Sequence, residues 1–239
     1  MPDTQRYSMQ VIPAPRTYSD IASPVISDET MTARLQKVLR AMKEAGLAHL
    51  VIYADKEHGA NFEYLAGFIP RFEEALLVVN AAGELTYIMG NENLKLVPHA
   101  RNGGSCLHAP AFSLPNQPID TDAPLEDLLT ACGLCAETKT GVVGWKLFTC
   151  NPALFDVPAF ILDAVISAAG GRGQVVNATG LFISPEQGVR RINNASEIAF
   201  YEYGANLAST NVLTALNAIE TGKSEKAIGQ LLAGDGQPN

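Results

Sequence analysis

The chain has 239 residues, 47% hydrophobic and 18% charged, with a formal net charge of -8 at pH 7. That composition belongs to a folded protein, and its acidic balance excludes a general nucleic-acid binder, which carries a basic face. No run is long and apolar enough to span a bilayer, the N-terminus MPDTQRYSMQVIPAPR lacks the apolar core of a secretory signal, and four cysteines are too few for a disulfide-built scaffold; the expectation is a cytoplasmic protein without nucleic-acid or membrane partners.

Residues 1–27 are rich in Pro, Ser and Thr, with Pro13, Pro15 and Pro24 blocking regular structure. They read as an extended arm. From Asp28 a helix is expected, because Leu35, Val38, Leu39 and Met42 fall at three- and four-residue spacing and Gly46 stands where a helix would stop. His49 to Tyr53 is short, apolar and β-branched, the pattern of a buried strand. Two further apolar runs, Ala75 to Val79 and Leu85 to Met89, flank a short Gly-containing loop and predict a hairpin.

Glu92 to Ala100 predicts a short helix shaped by Pro98, and Gly103-Gly104 with the stretch from Ala109 to Pro124 reads as loop. Leu125 to Ala131 predicts a helix and Gly141 to Gly144 a strand. Pro152 to Ala169 predicts another helix, with Pro152 in its first turn and Gly170-Gly171 past its end. Gln174 to Asn177 is a last strand. Helices alternating with strands and one hairpin imply an α/β domain with a mixed sheet, ending near residue 180.

Residues 181–194 form a linker in this reading, and the pattern beyond them is purely helical. Ala195 or Ser196 opens a long helix to about Glu220, with Ile198, Tyr201, Ala205, Leu207, Val212 and Leu216 on one apolar face. Glu197, three residues after Asn194, suits a capping arrangement. Gly222 would end this helix and Ser224 cap the next.

Two local patterns point beyond the fold. One is Asn61-Phe62-Glu63-Tyr64-Leu65-Ala66-Gly67-Phe68, between the first strand and the hairpin. The other joins Arg190-Arg191-Ile192, Ser196-Glu197-Ile198 and Gly222-Lys223-Ser224-Glu225. Together they resemble the creatinase/prolidase, or pita-bread, metallopeptidase family. Its N-terminal domains carry Asn-x-x-Tyr-Leu-Ser/Thr-Gly-Phe, and its catalytic domains open with Arg-x-Ile-Lys-Ser-x-x-Glu-Ile, a long helix and Gly-x-Ser/Thr-Glu. The resemblance covers roughly residues 29–233. Ala66 and Asn193 depart from the pattern, at positions that bind no metal in the family.

The resemblance implies a creatinase N-terminal-like domain over 28–180, with a mixed sheet flanked by helices. The linker over 181–194 then leads to the opening helices of an incomplete pita-bread domain over 195–239. It also implies that the intact protein is a homodimeric Xaa-Pro aminopeptidase or dipeptidase acting on a peptide or small-molecule substrate. Two divalent metal ions (Mn, Co or Zn) would be held there by two Asp, one His and two Glu. In the family those ligands lie beyond the helices at the end of this chain, so no cofactor, metal ligand or catalytic residue is expected here, and no activity from the chain alone. Two alternatives keep a place: a creatinase-like enzyme acting on a small C–N substrate, and a stand-alone oligomerisation or binding module.

Arg71 and Phe72 follow the first pattern where, in creatinase-like dimers, one N-terminal domain approaches the neighbour's active site. By that resemblance His58, Arg71 and Phe72 are candidate substrate-proximal residues across a dimer, the guanidinium matching a carboxylate. The competing reading packs Phe72 in the sheet, pairs Arg71 with a nearby acid and leaves His58 as a loop-packing histidine. Asp55-Lys56-Glu57 reads as a solvated turn, and Asn61, Tyr64 and Gly67 as a turn anchoring the loop. His49, His99 and His108 show no ligand grouping with His58. Cys132-Gly133-Leu134-Cys135 has the gap of redox and zinc motifs, but no second ligand pair accompanies it, so it reads as partly buried small residues.

Overall fold

The structure is a computed structural model that describes residues 10–13, 22–117 and 123–232. Most of the arm expected over 1–27, part of the loop from Ala109 to Pro124, and the last residues of the 195–239 segment lie outside the described residues. The chain divides into two compact units, one spanning Ile26–Asn194 and the other containing the helices from Ala195 onward.

The first unit is an α/β domain built on one six-stranded sheet of order β4-β3-β2-β1-β5-β6. Its strands are β1 (His49–Ala54), β2 (Ala75–Asn80), β3 (Leu85–Met89), β4 (Ser105–His108), β5 (Thr140–Val143) and β6 (Val175–Asn177). β1 pairs antiparallel with β2, and β2 antiparallel with β3. The pairs β3–β4, β1–β5 and β5–β6 are parallel. Only β2 therefore runs against the other five.

Alternation along each strand divides two apolar layers. Leu50, Ile52 and Ala54 of β1, with Leu77 and Val79 of β2, share one core with Val38, Met42, Phe62 and Leu65. Val51 and Tyr53, with Leu76 and Val78, share the other with Leu129, Ile161 and Val165. Helices α1 (Asp28–Glu44) and α2 (Ala60–Ala66) thus cover one face. Helices α3 (Leu125–Ala131) and α4 (Ala159–Ala168) cover the opposite one. Both faces are buried, so the central strands read as continuous apolar runs.

Helix α1 begins where its chemistry dictates. The Ser27 hydroxyl accepts the Thr30 N–H at 3.2 Å, Asp28 and Glu29 lie in the first turn and Lys43 in the last, each complementing the helix dipole. Pro98 lies inside a short 3-10 turn, Leu94–His99, as that segment's composition suggests.

Two expectations need correction, and one strand is additional to the sequence reading. Residues 60–66 form a helix, α2, which ends at Gly67 with φ 81°. Gly67 thus supplies the left-handed backbone expected of it, but Asn61 and Tyr64 belong to a helix and not to a turn. The stretch after Gly104 contains the additional strand β4, an exposed edge strand whose residues Ser105-Cys106-Leu107-His108 carry no apolar alternation. The second correction is α4, which starts at Ala159 behind Pro158, not at Pro152. The residues before it are drawn into turns, and the Asn151 side chain accepts the Ala153 N–H at 3.1 Å.

Residues 181–194 are tied to the sheet domain by specific hydrogen bonds. α5 (Gly180–Ile183) follows β6, the Tyr64 hydroxyl donates to the Val189 carbonyl at 3.2 Å, and the Arg190 guanidinium donates to Asn61 Oδ1 at 2.7 Å.

The second unit contains α6 (Ala195–Ala218) and α7 (Glu225–Gly229). Ser224 caps α7 by accepting the Ala227 N–H at 3.2 Å. Gly222, with φ 92°, lies in the turn between the helices and not at the end of α6 itself. Ile198, Tyr201, Val212 and Leu216 of the expected apolar face are more than half exposed.

Candidate functional site

The sheet order places a topological switch between β1 and β5. From β1 the chain moves outward through β2, β3 and β4, then returns to β5 on the other side. In open α/β sheets, the crevice beyond the carboxyl ends of strands at such a switch is the favoured ligand position. Here that edge gathers the loops after β1, β3 and β5 and the loop entering β2.

His58 lies in the loop after β1. Asp55 holds it: both carboxylate oxygens lie 2.9 Å from Nδ1, and Oδ1 accepts the His58 and Glu57 N–H groups at 2.7 and 2.8 Å. The Tyr53 hydroxyl donates to Asp55 Oδ2 at 2.9 Å. Burial opposes ionisation of Asp55, but its bonds from His58 and Tyr53 outweigh that effect and hold its carboxyl below the usual range. Burial and the neighbouring Asp55 carboxylate push the Tyr53 phenol well up, so it stays a donor. The solvated turn expected at residues 55–57 is therefore a turn whose acid orients the histidine.

The loop after β5 supplies Trp145, whose ring stacks on His58 with centroids 3.9 Å apart and 25° between planes. Lys146 Nζ lies 4.1 Å from the centroid of the same indole. Asp156 fixes this loop by accepting the Trp145 and Lys146 N–H groups through Oδ2. Gly144 makes room for it: a Cβ there would stand 1.9 Å from Asp156 Oδ1.

Arg71 and Phe72 lie one strand further along, in the loop entering β2. Phe72 is 65% exposed and has φ 70°, while the Arg71 guanidinium carbon lies 5.3 Å from the centroid of its ring. Phe72 thus does not pack in the sheet. Among the described residues Arg71 has no acidic partner within ion-pair distance. The two loops touch through Gly59 and Ile69, where a Cβ on the glycine would come 2.7 Å from Ile69 Cγ2. No direct contact joins His58 to Arg71 or Phe72 among the described residues.

Sequence reasoning missed Trp145, Lys146, Asp156 and the role of Asp55. Two signals were present: an acid three residues before a histidine, and a glycine directly after a buried strand beside the chain's single tryptophan.

The cysteine motif is chemically quiet. Cys132 caps α3, and burial pushes its thiol up to about 11, so little thiolate forms near neutrality. Cys135 Sγ lies 3.4 Å from the Thr138 hydroxyl. Among the described residues no three His, Cys, Asp or Glu side chains form a group able to hold a metal ion. The described residues therefore do not fit the metal pair that the family resemblance implies.

No family model matches the chain, and no curated protein does. Solved structures do. The dipeptidase PepE of Mycobacterium ulcerans is 21% identical with a TM-score of 0.57, over 87% of this chain and 49% of its own. The prolidase of Pyrococcus horikoshii is 13% identical with a TM-score of 0.56, over 83% of this chain and 47% of its own. The Xaa-Pro dipeptidase of Bacillus anthracis is 15% identical with a TM-score of 0.55, over 84% and 47%. The chain has the fold of the N-terminal part of these structures. It spans about half their length. The mixed sheet flanked by helices is the architecture expected from the creatinase-like resemblance. Among the described residues no helix is long and apolar enough to cross a membrane.

Proposed function

We propose that this chain is the N-terminal portion of a cytoplasmic, homodimeric, metal-dependent Xaa-Pro aminopeptidase or dipeptidase, with the sheet domain shaping the substrate end of the neighbouring subunit's active site. The observation that carries this reading is the exposed Arg71-Phe72 pair at the switch edge of a fold shared with three dipeptidase and prolidase structures. In this reading the helices from Ala195 open a further domain, and two divalent ions held by the intact enzyme would supply Lewis-acid chemistry to the hydrolysis.

The residues of this chain bind and orient. Arg71 offers a planar fork of donors to a peptide carboxylate, and Phe72 offers an apolar face to the adjoining side chain. His58, its Nδ1 committed to Asp55, keeps Nε2 for a substrate polar atom or water.

Three measurements test this. In the full-length protein with Mn²⁺, release of the N-terminal residue from a Xaa-Pro dipeptide is expected. Arg71→Ala should raise KM about tenfold with kcat within about twofold, the loss of roughly 1.4 kcal/mol of uniform binding. The 239-residue chain alone should show no turnover. Wild-type kinetics in Arg71→Ala and Phe72→Ala would remove these residues from the site, and turnover by the short chain would place the reaction centre within it.

A further inference from the structure

Phe72 bears two costs at once. Its left-handed backbone, φ 70°, is an outlier for a bulky residue, and its ring is 65% exposed. Packing does not compensate, so something else must impose the conformation.

The residues on both sides of Phe72 are tied to one short segment after β3. On one side, the Arg71 N–H donates to Asn93 Oδ1 at 2.9 Å. On the other, Glu73 Oε2 accepts the Glu92 N–H at 2.9 Å and the Asn93 amide at 3.5 Å. Glu73 and Asn93 are only 3% and 1% exposed; the bond between their side chains is buried and the two to the Arg71 and Glu92 N–H groups are partly buried, where leaving a partner unmade is expensive. Gly90 lets the carboxylate in: a Cβ there would stand 2.5 Å from Glu73 Oε2 and 2.9 Å from the Phe112 carbonyl carbon.

We propose that Glu73 and Asn93 form a buried latch that pins the backbone on either side of Phe72, and so act as positioning residues for the Arg71-Phe72 pair. As positioning for substrate, the inference rests on the reading of that pair as substrate-facing. With residues 71 and 73 both fixed, the chain between them turns outward and the ring is presented to solvent. Rigid presentation lowers the entropy lost when a ligand engages.

A double-mutant cycle in thermal unfolding tests the latch without reference to activity. Phe72→Gly removes the strain, so in the latched wild type it should be more favourable to the midpoint, by about 2–4 °C, than in Asn93→Ala, where the loop has already relaxed. Equal shifts in both backgrounds overturn the latch. Should Asn93→Ala fail to fold, hydrogen exchange on the wild type decides: the Arg71 amide should exchange at least about tenfold more slowly than in an unstructured peptide. An unprotected amide overturns the latch.

Kinetics of the full-length protein separate the two ideas. Asn93→Ala should raise KM for a Xaa-Pro dipeptide as Arg71→Ala does, with kcat little changed, and Glu73→Gln, which keeps an acceptor, should stay near wild type. Coupling in the cycle with an unchanged KM in Arg71→Ala would leave the latch standing and remove the substrate-facing reading. A raised KM in Arg71→Ala with an unchanged KM in Asn93→Ala would overturn the positioning role.

Discussion

Gly144 shows how one missing side chain shapes the switch edge. It directly follows β5, its N–H donates to the Thr179 hydroxyl at 2.9 Å, and its bare α-carbon admits the Asp156 carboxylate. That carboxylate cannot retreat without releasing two N–H groups. Gly144→Ala should therefore cost about 1–3 kcal/mol, read from urea denaturation, because added volume here meets a fixed polar group. His49 sets a different constraint. It is buried at the start of β1, burial alone pulls its pKa below the ordinary value, and Nδ1 has no partner among the described residues. The folded state thus binds a proton at His49 less readily than the unfolded state, which takes one up below about pH 6.5. Its contribution is full above that pH and falls as pH drops toward the lower folded-state pKa. Urea midpoints of wild type and His49→Leu measured between pH 7.5 and 5.5 should shift in the variant's favour as pH falls; a constant difference would refute the assignment.

At the scale of elements, α2 joins the parts of the domain. Asn61 on its first turn donates to the Gly144 carbonyl at 2.8 Å and accepts from Arg190 at 2.7 Å, linking the end of β5 to the segment before α6. Asn61→Ala would leave a buried carbonyl and a guanidinium without this partner. A loss of about 2–3 kcal/mol is expected in chemical denaturation, whereas a surface residue would cost almost nothing. The sequence contained the residues of α2 but not its helicity, because seven residues offer too little periodicity to separate a helix from an anchored turn. β4 was hidden for the opposite reason: an exposed edge strand needs no apolar face. α1, β1, β2 and β3 were legible because both faces of the sheet are covered and their apolar runs are long. At the candidate site, His58, Arg71 and Phe72 were singled out through a family resemblance, and all three lie in loops at the switch edge. Trp145 and Asp156 were not singled out, since their roles depend on two loops meeting after β1 and β5 pair in parallel across most of the sheet domain's sequence.

Over the whole molecule, the boundary between units follows hydrogen bonds more closely than composition. Proline and glycine near residues 185 and 188 suggest a linker. Yet the Val189 N–H donates to the Leu181 carbonyl at 2.8 Å and the Arg190 N–H to the Phe182 carbonyl at 3.1 Å. Lys37 donates to the Ile192 carbonyl at 3.0 Å, and Asn194 to the Thr30 hydroxyl at 3.0 Å. These contacts tie the segment to α1, and the Tyr64 hydroxyl of α2 adds a bond to the Val189 carbonyl. A domain that needs this return strap should lose stability when it is cut. A piece spanning residues 26–194 should unfold in one cooperative transition. A piece spanning 26–180 loses Phe182, a fully buried ring, together with the Arg190–Asn61 bond, and should unfold at least about 3 kcal/mol more easily. Equal midpoints for the two pieces would show that residues 181–194 are a linker after all, and that α1 and α2 close the sheet domain without them.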